Sequence, residues 1–236
     1  MMQLNNTISA SITAIGGYVP EERLTNKDLE SIVDTNDEWI QSRTGIKERR
    51  LLKDPKKATS FLAIQASKDL IIKNKVDPLT IDMVIVATTT PDMQIAATAA
   101  YVSSEIGTNN AFGYDLQAAC SGFLYAMSMA SGKIESGRYK KILVVGADKM
   151  SSVIDYKDRS TCILFGDGAG AVLFEPNNEG FGWIDEYFKS NGKDRESLCV
   201  KAGGSLFPAT SSSILKGDHY LRQDGRKVFK SAVSAM

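Results

Sequence analysis

The chain has 236 residues, 43% of them hydrophobic and 24% charged, which is ordinary for one large globular domain or two small ones. Lysine plus arginine and aspartate plus glutamate number 28 each, so net charge gives no reason to expect a nucleic-acid or membrane partner. Three cysteines without CxxC spacing exclude a disulfide framework and a zinc site. They favour a reducing compartment, and with neither a signal peptide nor an apolar run of roughly 18 residues we expect a cytoplasmic protein.

Along the chain, strand-like and helix-like segments alternate. Residues 8–15 alternate apolar and polar side chains, as a half-buried strand does, and later apolar runs are typical of strands buried on both faces. The predicted strands are 8–15, 83–87, 111–116, 142–147, 162–165 and 171–174. The predicted helices begin at residues 25 and 36 or cover 61–74, 98–106, 121–136 and 228–233. This alternation predicts an α/β domain with a largely parallel sheet covered on both faces.

The composition of the sequence changes after Pro176, where the predicted strands and helices become shorter and the residues more polar. We therefore predict two domains, 1–175 and 176–236, with the boundary near that proline. The last predicted helix, 228–233, has no C-terminal signal before Met236, so we expect the chain to stop within an element.

Cys120 lies where a predicted strand passes into a predicted helix. A thiol at a helix N-terminus feels the positive end of the helix dipole and unpaired N–H groups, and both favour the nucleophilic thiolate. Its neighbours are small enough for a substrate to approach the sulfur: Ala118, Ala119, Ser121 and Gly122. The alternative is a buried small residue, because free cysteine is among the most buried residue types. Position alone leaves both interpretations open.

The segment 166–170, with sequence GDGAG, has the composition of a phosphate-binding loop. It lacks the Lys-Ser/Thr of a Walker sequence, fails the dinucleotide fingerprint, and precedes a predicted strand where either motif needs a helix. We therefore predict a glycine turn between strands 162–165 and 171–174, with close backbone approach to the active centre as the alternative.

Trp39 and Arg43 are four residues apart and therefore share one face of a predicted helix. They are either a core aromatic with a solvated charge or a surface for a nucleotide base and its phosphates. His219, the only histidine, is either an exposed residue of a hairpin strand or a partner of Cys120.

A cluster of cations follows this helix and is either a solvated loop or an anion-binding rim. Its members are Lys47, Arg49, Arg50, Lys53, Lys56 and Lys57.

Taken together, these segments resemble the β-ketoacyl-acyl-carrier-protein synthase III family, condensing enzymes with a thiolase-type fold. The motifs follow the family order and span nearly the whole chain. They cover residues 34–40, 43–49, 87–92, 115–123, 165–171 and 225–230. The resemblance implies the N-terminal half of a thiolase-like fold, with a mostly parallel mixed sheet between helices, plus the start of the second half.

The resemblance also implies roles for particular residues. Cys120 would take an acyl group from acyl-CoA, most simply acetyl-CoA, and condense it with malonyl-acyl-carrier protein to start fatty-acid synthesis. Trp39 and Arg159 would sandwich the adenine of CoA, while Thr35 and Arg43 would contact the rest of its nucleotide end. No cofactor or metal is implied, because acyl-CoA is a substrate.

Four further residues receive roles from the same resemblance. Gly225 and Phe229 would line the pantetheine tunnel, and Lys230 would lie near the surface that docks the acidic carrier protein. Ile95 matches a position that is often phenylalanine and that reaches the partner's acyl pocket in a homodimer, so isoleucine there would alter the choice of acyl primer.

The family completes its site with a histidine and an asparagine from the second half of the fold, and the chain ends before both positions. We therefore expect an N-terminal portion of a condensing enzyme. Two alternatives remain open at this stage. One is a non-catalytic acyl-CoA-binding or dimerisation module, and the other is a related synthase of the hydroxymethylglutaryl-CoA or polyketide type.

Overall fold

The computed structural model describes residues 8–235, in which strands and helices alternate as predicted. The strands are β1 (Ser9–Tyr18), β2 (Arg23–Thr25), β3 (Glu48–Arg50), β4 (Met83–Ala87), β5 (Phe112–Leu116), β6 (Ile142–Lys149), β7 (Asp167–Asn177), β8 (Leu198–Val200) and β9 (Leu221–Gln223). The helices are α1 (Asn26–Glu30), α2 (Asp37–Thr44), α3 (Thr59–Asn74), α4 (Thr98–Ile106), α5 (Gly122–Glu135), α6 (Arg159–Cys162), α7 (Ser211–Leu215) and α8 (Gly225–Ala235).

The chain folds into two compact units, each built from three separate segments. Among the described residues, the first unit contains 8–20, 52–149 and 167–187, and the second contains 21–51, 150–166 and 188–235. The domain boundary predicted near residue 175 refers to the two halves of a thiolase-like fold and stays a prediction.

The first unit is organised around a five-stranded mixed sheet with strand order β1-β7-β6-β4-β5. β4 runs parallel to both of its neighbours, β5 and β6, whereas β7 is antiparallel to β6 and to β1. The carboxyl ends of the three parallel strands therefore meet at one edge, which is where open α/β sheets bind their ligands.

Helices cover both faces of this sheet, as predicted. Alternate residues of β4 enter opposite cores: Val84 and Val86 pack towards α3 and α4, while Met83 and Ile85 pack towards α5. All four side chains are fully buried. Burial on both faces explains why this strand is an uninterrupted apolar run.

The glycine-rich segment is part of a strand, so the predicted glycine turn is wrong. Residues 167–170 open β7, where Gly170 pairs with Gly17 of β1 and with Gly146 of β6. A Cβ on Gly146 would lie 2.9 Å from Cδ2 of Phe123. This glycine is therefore needed for the close packing of an aromatic ring on the sheet.

The second unit has a smaller core and two short antiparallel strand pairs, β2–β3 and β8–β9. In α2 the Asn36 side chain caps the Trp39 N–H at 2.8 Å, and Gly45 ends the helix with a φ of 72°. The core cluster of this unit is formed by buried residues, namely Leu29, Ile40, Ile154, Cys162, Ile163 and Leu221.

One further expectation about the second unit is wrong. The predicted strand 162–165 does not form. Asp158 caps the helix α6 by accepting from the Ser160 N–H at 2.9 Å, the helix ends at Cys162, and residues 163–165 follow it as a turn and irregular backbone. The cationic cluster is not uniformly solvated, since Arg49 is only 3% exposed. Within residues 8–235, no helix combines the length and apolar character needed to cross a bilayer.

Candidate active site

Cys120 lies in a 3₁₀ turn, Ala119–Ser121, between the end of β5 and the start of α5. This confirms the predicted passage from strand to helix. Ala119 has a φ of 46°, in the left-handed region that costs a residue with a Cβ about 1–2 kcal/mol. The turn leaves the Cys120 side chain exposed. A strained turn that presents a thiol at a helix N-terminus suits a nucleophile.

The elements on either side of this turn are firmly anchored. Before it, the Asp115 carboxylate accepts the Thr98 and Ala99 N–H groups, both at 2.7 Å, and so caps α4. After it, Phe123 packs on β6 over Gly146. The turn that carries Cys120 is therefore fixed on both sides, before it by the hydrogen bonds of Asp115 to α4 and after it by the packing of Phe123 on β6.

A hydrogen-bonded cluster lies at the same carboxyl edge of the sheet. Oδ1 of Asp148, near the end of β6, accepts hydrogen bonds from the loop that follows β4. The donors are Thr88 Oγ1, Thr89 N, Thr89 Oγ1, Thr90 N and Thr90 Oγ1, at 2.8–3.1 Å. The Thr88 N–H also donates to the Leu116 carbonyl at 3.2 Å, which joins this loop to the strand that carries Cys120.

Sequence reasoning missed Asp148, although a signal was present. The residue is an aspartate that follows a long apolar run, and polar side chains at that position reach the carboxyl edge of a buried sheet.

Ile95 lies on the loop between β4 and α4 and is an unusual residue in two respects. It has a φ of 75°, which is rare for a β-branched residue, and its side chain is fully exposed. A strained, exposed apolar side chain on a loop is typical of a residue with a binding role.

In the second unit, two guanidinium groups lie over the ring of Trp39, a residue of α2. The Cζ atom of Arg159 is 4.2 Å from the centroid of the Trp39 ring, and that of Arg43 is 5.0 Å from it. Both distances fall within the range of cation–π attraction. The structure therefore brings three of the four residues predicted for the nucleotide end into one cluster, hereafter the Trp39 cluster.

The fourth residue, Thr35, precedes the cap of α2. Its Oγ1 atom is buried and has no hydrogen-bond partner in the structure. A buried hydroxyl without a partner costs free energy, and a ligand atom would satisfy it.

Gly225 and Phe229 occupy the first and fifth positions of α8 and therefore share a face of that helix. Phe229 is 71% exposed, and a Cβ on Gly225 would meet nothing within 4 Å. Lys230 is also exposed on this helix. An ion pair between Lys227 and Asp194 joins this helix to the segment that precedes β8.

His219 does not lie in a strand as predicted, but in the turn before β9. Its ring stacks on Tyr220 at 4.0 Å between centroids, and its Nδ1 atom is buried without a partner. Across residues 8–235, no group of three or more His, Cys, Asp or Glu side chains is arranged to hold a metal ion.

Comparison with known proteins relates the chain to one family. The family model described as 3-oxoacyl-[acyl-carrier-protein (ACP)] synthase III matches residues 114–192, which include Cys120 and Arg159. A beta-ketoacyl-[acyl-carrier-protein] synthase III of Chlorobium chlorochromatii is 53% identical over 97% of this chain and 70% of its own length.

Solved structures agree with this match. The synthase III of Thermus thermophilus superposes with a TM-score of 0.84 at 41% identity, over 96% of this chain and 68% of that one. The priming β-ketosynthase of the R1128 polyketide pathway superposes with a TM-score of 0.82 at 32% identity, over 96% of this chain and 66% of that one. The fold of the chain is that of these thiolase-like condensing enzymes, and the chain belongs to the β-ketoacyl-acyl-carrier-protein synthase III family.

Proposed function

We propose that Cys120 is the acyl-accepting nucleophile of a β-ketoacyl-acyl-carrier-protein synthase III. The thiolate attacks the thioester carbonyl carbon of an acyl-CoA, the bond from that carbon to the CoA sulfur breaks, and CoA leaves as a thiolate that takes up a proton. The product is an acyl thioester on Cys120. The backbone N–H of Cys120 is one donor to the transient oxyanion, a role worth about 3–4 kcal/mol.

In the second half-reaction, malonyl-acyl-carrier protein loses its carboxylate as CO₂. The resulting carbanion attacks the carbonyl carbon of the acyl-enzyme, forms a carbon–carbon bond, and releases Cys120 as a thiolate. A 3-oxoacyl-carrier protein results. Membership of the family supports this sequence of steps over a non-catalytic binding module.

One observation carries the proposal: an exposed thiol in a strained turn at the carboxyl ends of the parallel strands of the mixed sheet. Asp115 and Phe123 anchor the neighbouring elements, so the sulfur is presented by a rigid frame. Pre-positioning of this kind lowers the entropic cost of reaching the transition state.

The Trp39 cluster is proposed to bind the nucleotide end of acyl-CoA. Arg159 stacks at 4.2 Å from the Trp39 ring, whereas a base between the two groups needs about two van der Waals spacings, or ~7 Å. The Arg159 side chain must therefore move outward to admit adenine, while Thr35 and Arg43 contact the ribose and phosphates.

The remaining assignments are proposed from the family resemblance together with exposure. Gly225 and Phe229 would contact pantetheine, Lys230 would help to dock the acidic carrier protein, and Ile95 would enter the partner's acyl pocket in a homodimer. A cytoplasmic location and the use of acetyl-CoA as primer are proposed on the same basis.

Intact-protein mass spectrometry after incubation with acetyl-CoA tests the first half-reaction. We expect one acetyl group on the native protein and none on Cys120→Ala. Cys199→Ala is the matched control, because Cys199 is another thiol that is not fully buried, and it should still be acetylated. Acetylation of Cys120→Ala at the native level would overturn the proposal.

A further inference from the structure

Arg49, on β3 in the second unit, is a buried cation, with 3% of its surface exposed. Burial lowers the pKa of the Arg49 guanidinium, because removing a charge from water is costly. A charge is tolerated in such a place only when hydrogen bonds satisfy it. The partners of Arg49 therefore indicate what it holds together.

On one side, Arg49 holds the end of α6. Its Nε donates to the Ile163 carbonyl at 2.8 Å and its Nη2 donates to the same oxygen. Ile163 is the C-cap of the helix that begins with Arg159. A Cβ on Gly166 would lie 3.2 Å from the Arg49 Cβ, so this glycine allows the segment after α6 to lie close to β3.

On the other side, Arg49 reaches the start of α2 through one intermediate residue. Its Nη1 donates to Oδ1 of Asn26, which is 1% exposed. The Asn26 Nδ2 then donates at 2.8 Å to the Asp37 carboxylate and at 2.8 Å to the Ile46 carbonyl. Asp37 is the first residue of α2, two positions before Trp39.

From this geometry we infer that Arg49, Asn26 and Asp37 are positioning residues for the Trp39 cluster. The chain of hydrogen bonds joins the helix of Arg159 to the helix of Trp39 and fixes the spacing of their backbones. Only the Arg159 side chain then has to move when a base enters, so the ordering cost of binding stays small. The inference rests on the proposed role of the Trp39 cluster in binding acyl-CoA.

The most direct test removes a hydrogen-bond partner at Asp37, because the side chain of this residue is exposed and its substitution does not disturb the core. Asp37→Ala removes the acceptor at α2 and leaves Asn26 bonded to Arg49 and Ile46. Asp37→Asn keeps an oxygen acceptor and is the rescue variant. Glu38→Ala is the matched control, since it removes an acidic side chain from the same first turn of α2.

For each variant, calorimetry gives the Kd for CoA, single-turnover acylation gives the rate at saturating acetyl-CoA, and thermal unfolding gives the Tm. We expect Asp37→Ala to raise the Kd about threefold to tenfold and to leave the saturated acylation rate unchanged. Asp37→Asn should restore most of the affinity, and Glu38→Ala should bind CoA like the native protein. A loss of Tm without a change in Kd would show a purely structural role and would overturn the inference.

Trp39→Ala separates failure of this inference from failure of the proposed CoA site. If Trp39→Ala binds CoA with native affinity, the nucleotide site itself is wrong. If Trp39→Ala weakens CoA binding while Asp37→Ala matches Glu38→Ala, the nucleotide site stands and the positioning role is wrong.

Discussion

The guanidinium carbon of Arg159 lies 4.2 Å from the centroid of the Trp39 ring, closer than that of Arg43 at 5.0 Å. An adenine that stacks on Trp39 must therefore replace one favourable contact with two, one to the indole and one to the displaced guanidinium. Trp39 and Arg159 are both half-buried, so breaking the preformed contact costs about 0.5–2 kcal/mol, which the new pair of contacts can offset.

Replacing Arg159 by alanine should weaken acyl-CoA binding without slowing the chemistry. The base then stacks on one side only, so we expect the KM for acetyl-CoA in the acylation half-reaction to rise about threefold to tenfold, with the limiting rate of acylation unchanged. Single-turnover acylation of Cys120 over a range of acetyl-CoA concentrations measures both the KM and the limiting rate of this half-reaction. Lys157→Ala removes an exposed cation two residues away and is the control. Equal KM values for the two variants would contradict a stacking role.

Adding a methyl group at Gly146 should disturb the helix that follows Cys120. The new Cβ would lie 2.9 Å from the Phe123 ring, and overpacking of this kind costs about 1–3 kcal/mol. We expect Gly146→Ala to lower the free energy of unfolding and to slow acetylation of Cys120, as followed by denaturant titration and quenched-flow mass spectrometry.

Gly132→Ala is the matched control for this effect, because it lies on α5 and its added Cβ meets nothing within 4 Å. A glycine-to-alanine change inside a helix stabilises by about 0.5–1 kcal/mol. If Gly146→Ala unfolded with the same free energy as the native protein and were acetylated at the same rate, the packing of Phe123 on Gly146 would not anchor α5.

Removing the Asp115 carboxylate should loosen the strand that leads into Cys120. Asp115→Ala leaves two N–H groups of α4 without their acceptor, and loss of a cap costs about 1–2 kcal/mol. Asp115→Asn keeps one acceptor oxygen and should lie between the alanine variant and the native protein in urea denaturation. Glu105→Ala, an exposed change on the same helix, should fall within about 0.5 kcal/mol of the native protein. An Asp115→Ala variant as stable as Glu105→Ala would show that the Asp115 cap does not stabilise the protein.

The central strands and helices could be predicted because their signals are local. Residues 83–87 are apolar throughout since both faces of β4 are buried, and the small residues of α5 pack closely on the sheet. The short apolar run 162–165 was predicted wrongly. A run of that length fits a strand or a helix, but it is neither: the helix α6, capped by Asp158, ends at Cys162, and residues 163–165 are a turn and irregular backbone.

The burial of Arg49 could not be predicted, because its signal is not local. It stands in a run of charged residues, and its acceptor Ile163 is 114 positions away in the sequence. The contact between Arg159 and Trp39 was likewise available only through a family resemblance, since 120 residues separate the two along the chain.

The hydrogen bonds at Asp37 predict a specific pH dependence. Donation from Asn26, then from Gln41, lowers the pKa of the Asp37 carboxyl below its ordinary value of 3.8. Because the folded pKa is depressed, the stability that this group contributes is present above that ordinary value and is lost as pH falls through the lowered one. Carbon-detected NMR titration of the carboxyl should therefore give a midpoint below 3.8 in the native protein. Gln41→Ala removes one donor at 2.7 Å and should move the midpoint part of the way back up, whereas a native midpoint at or above the ordinary value would contradict the network.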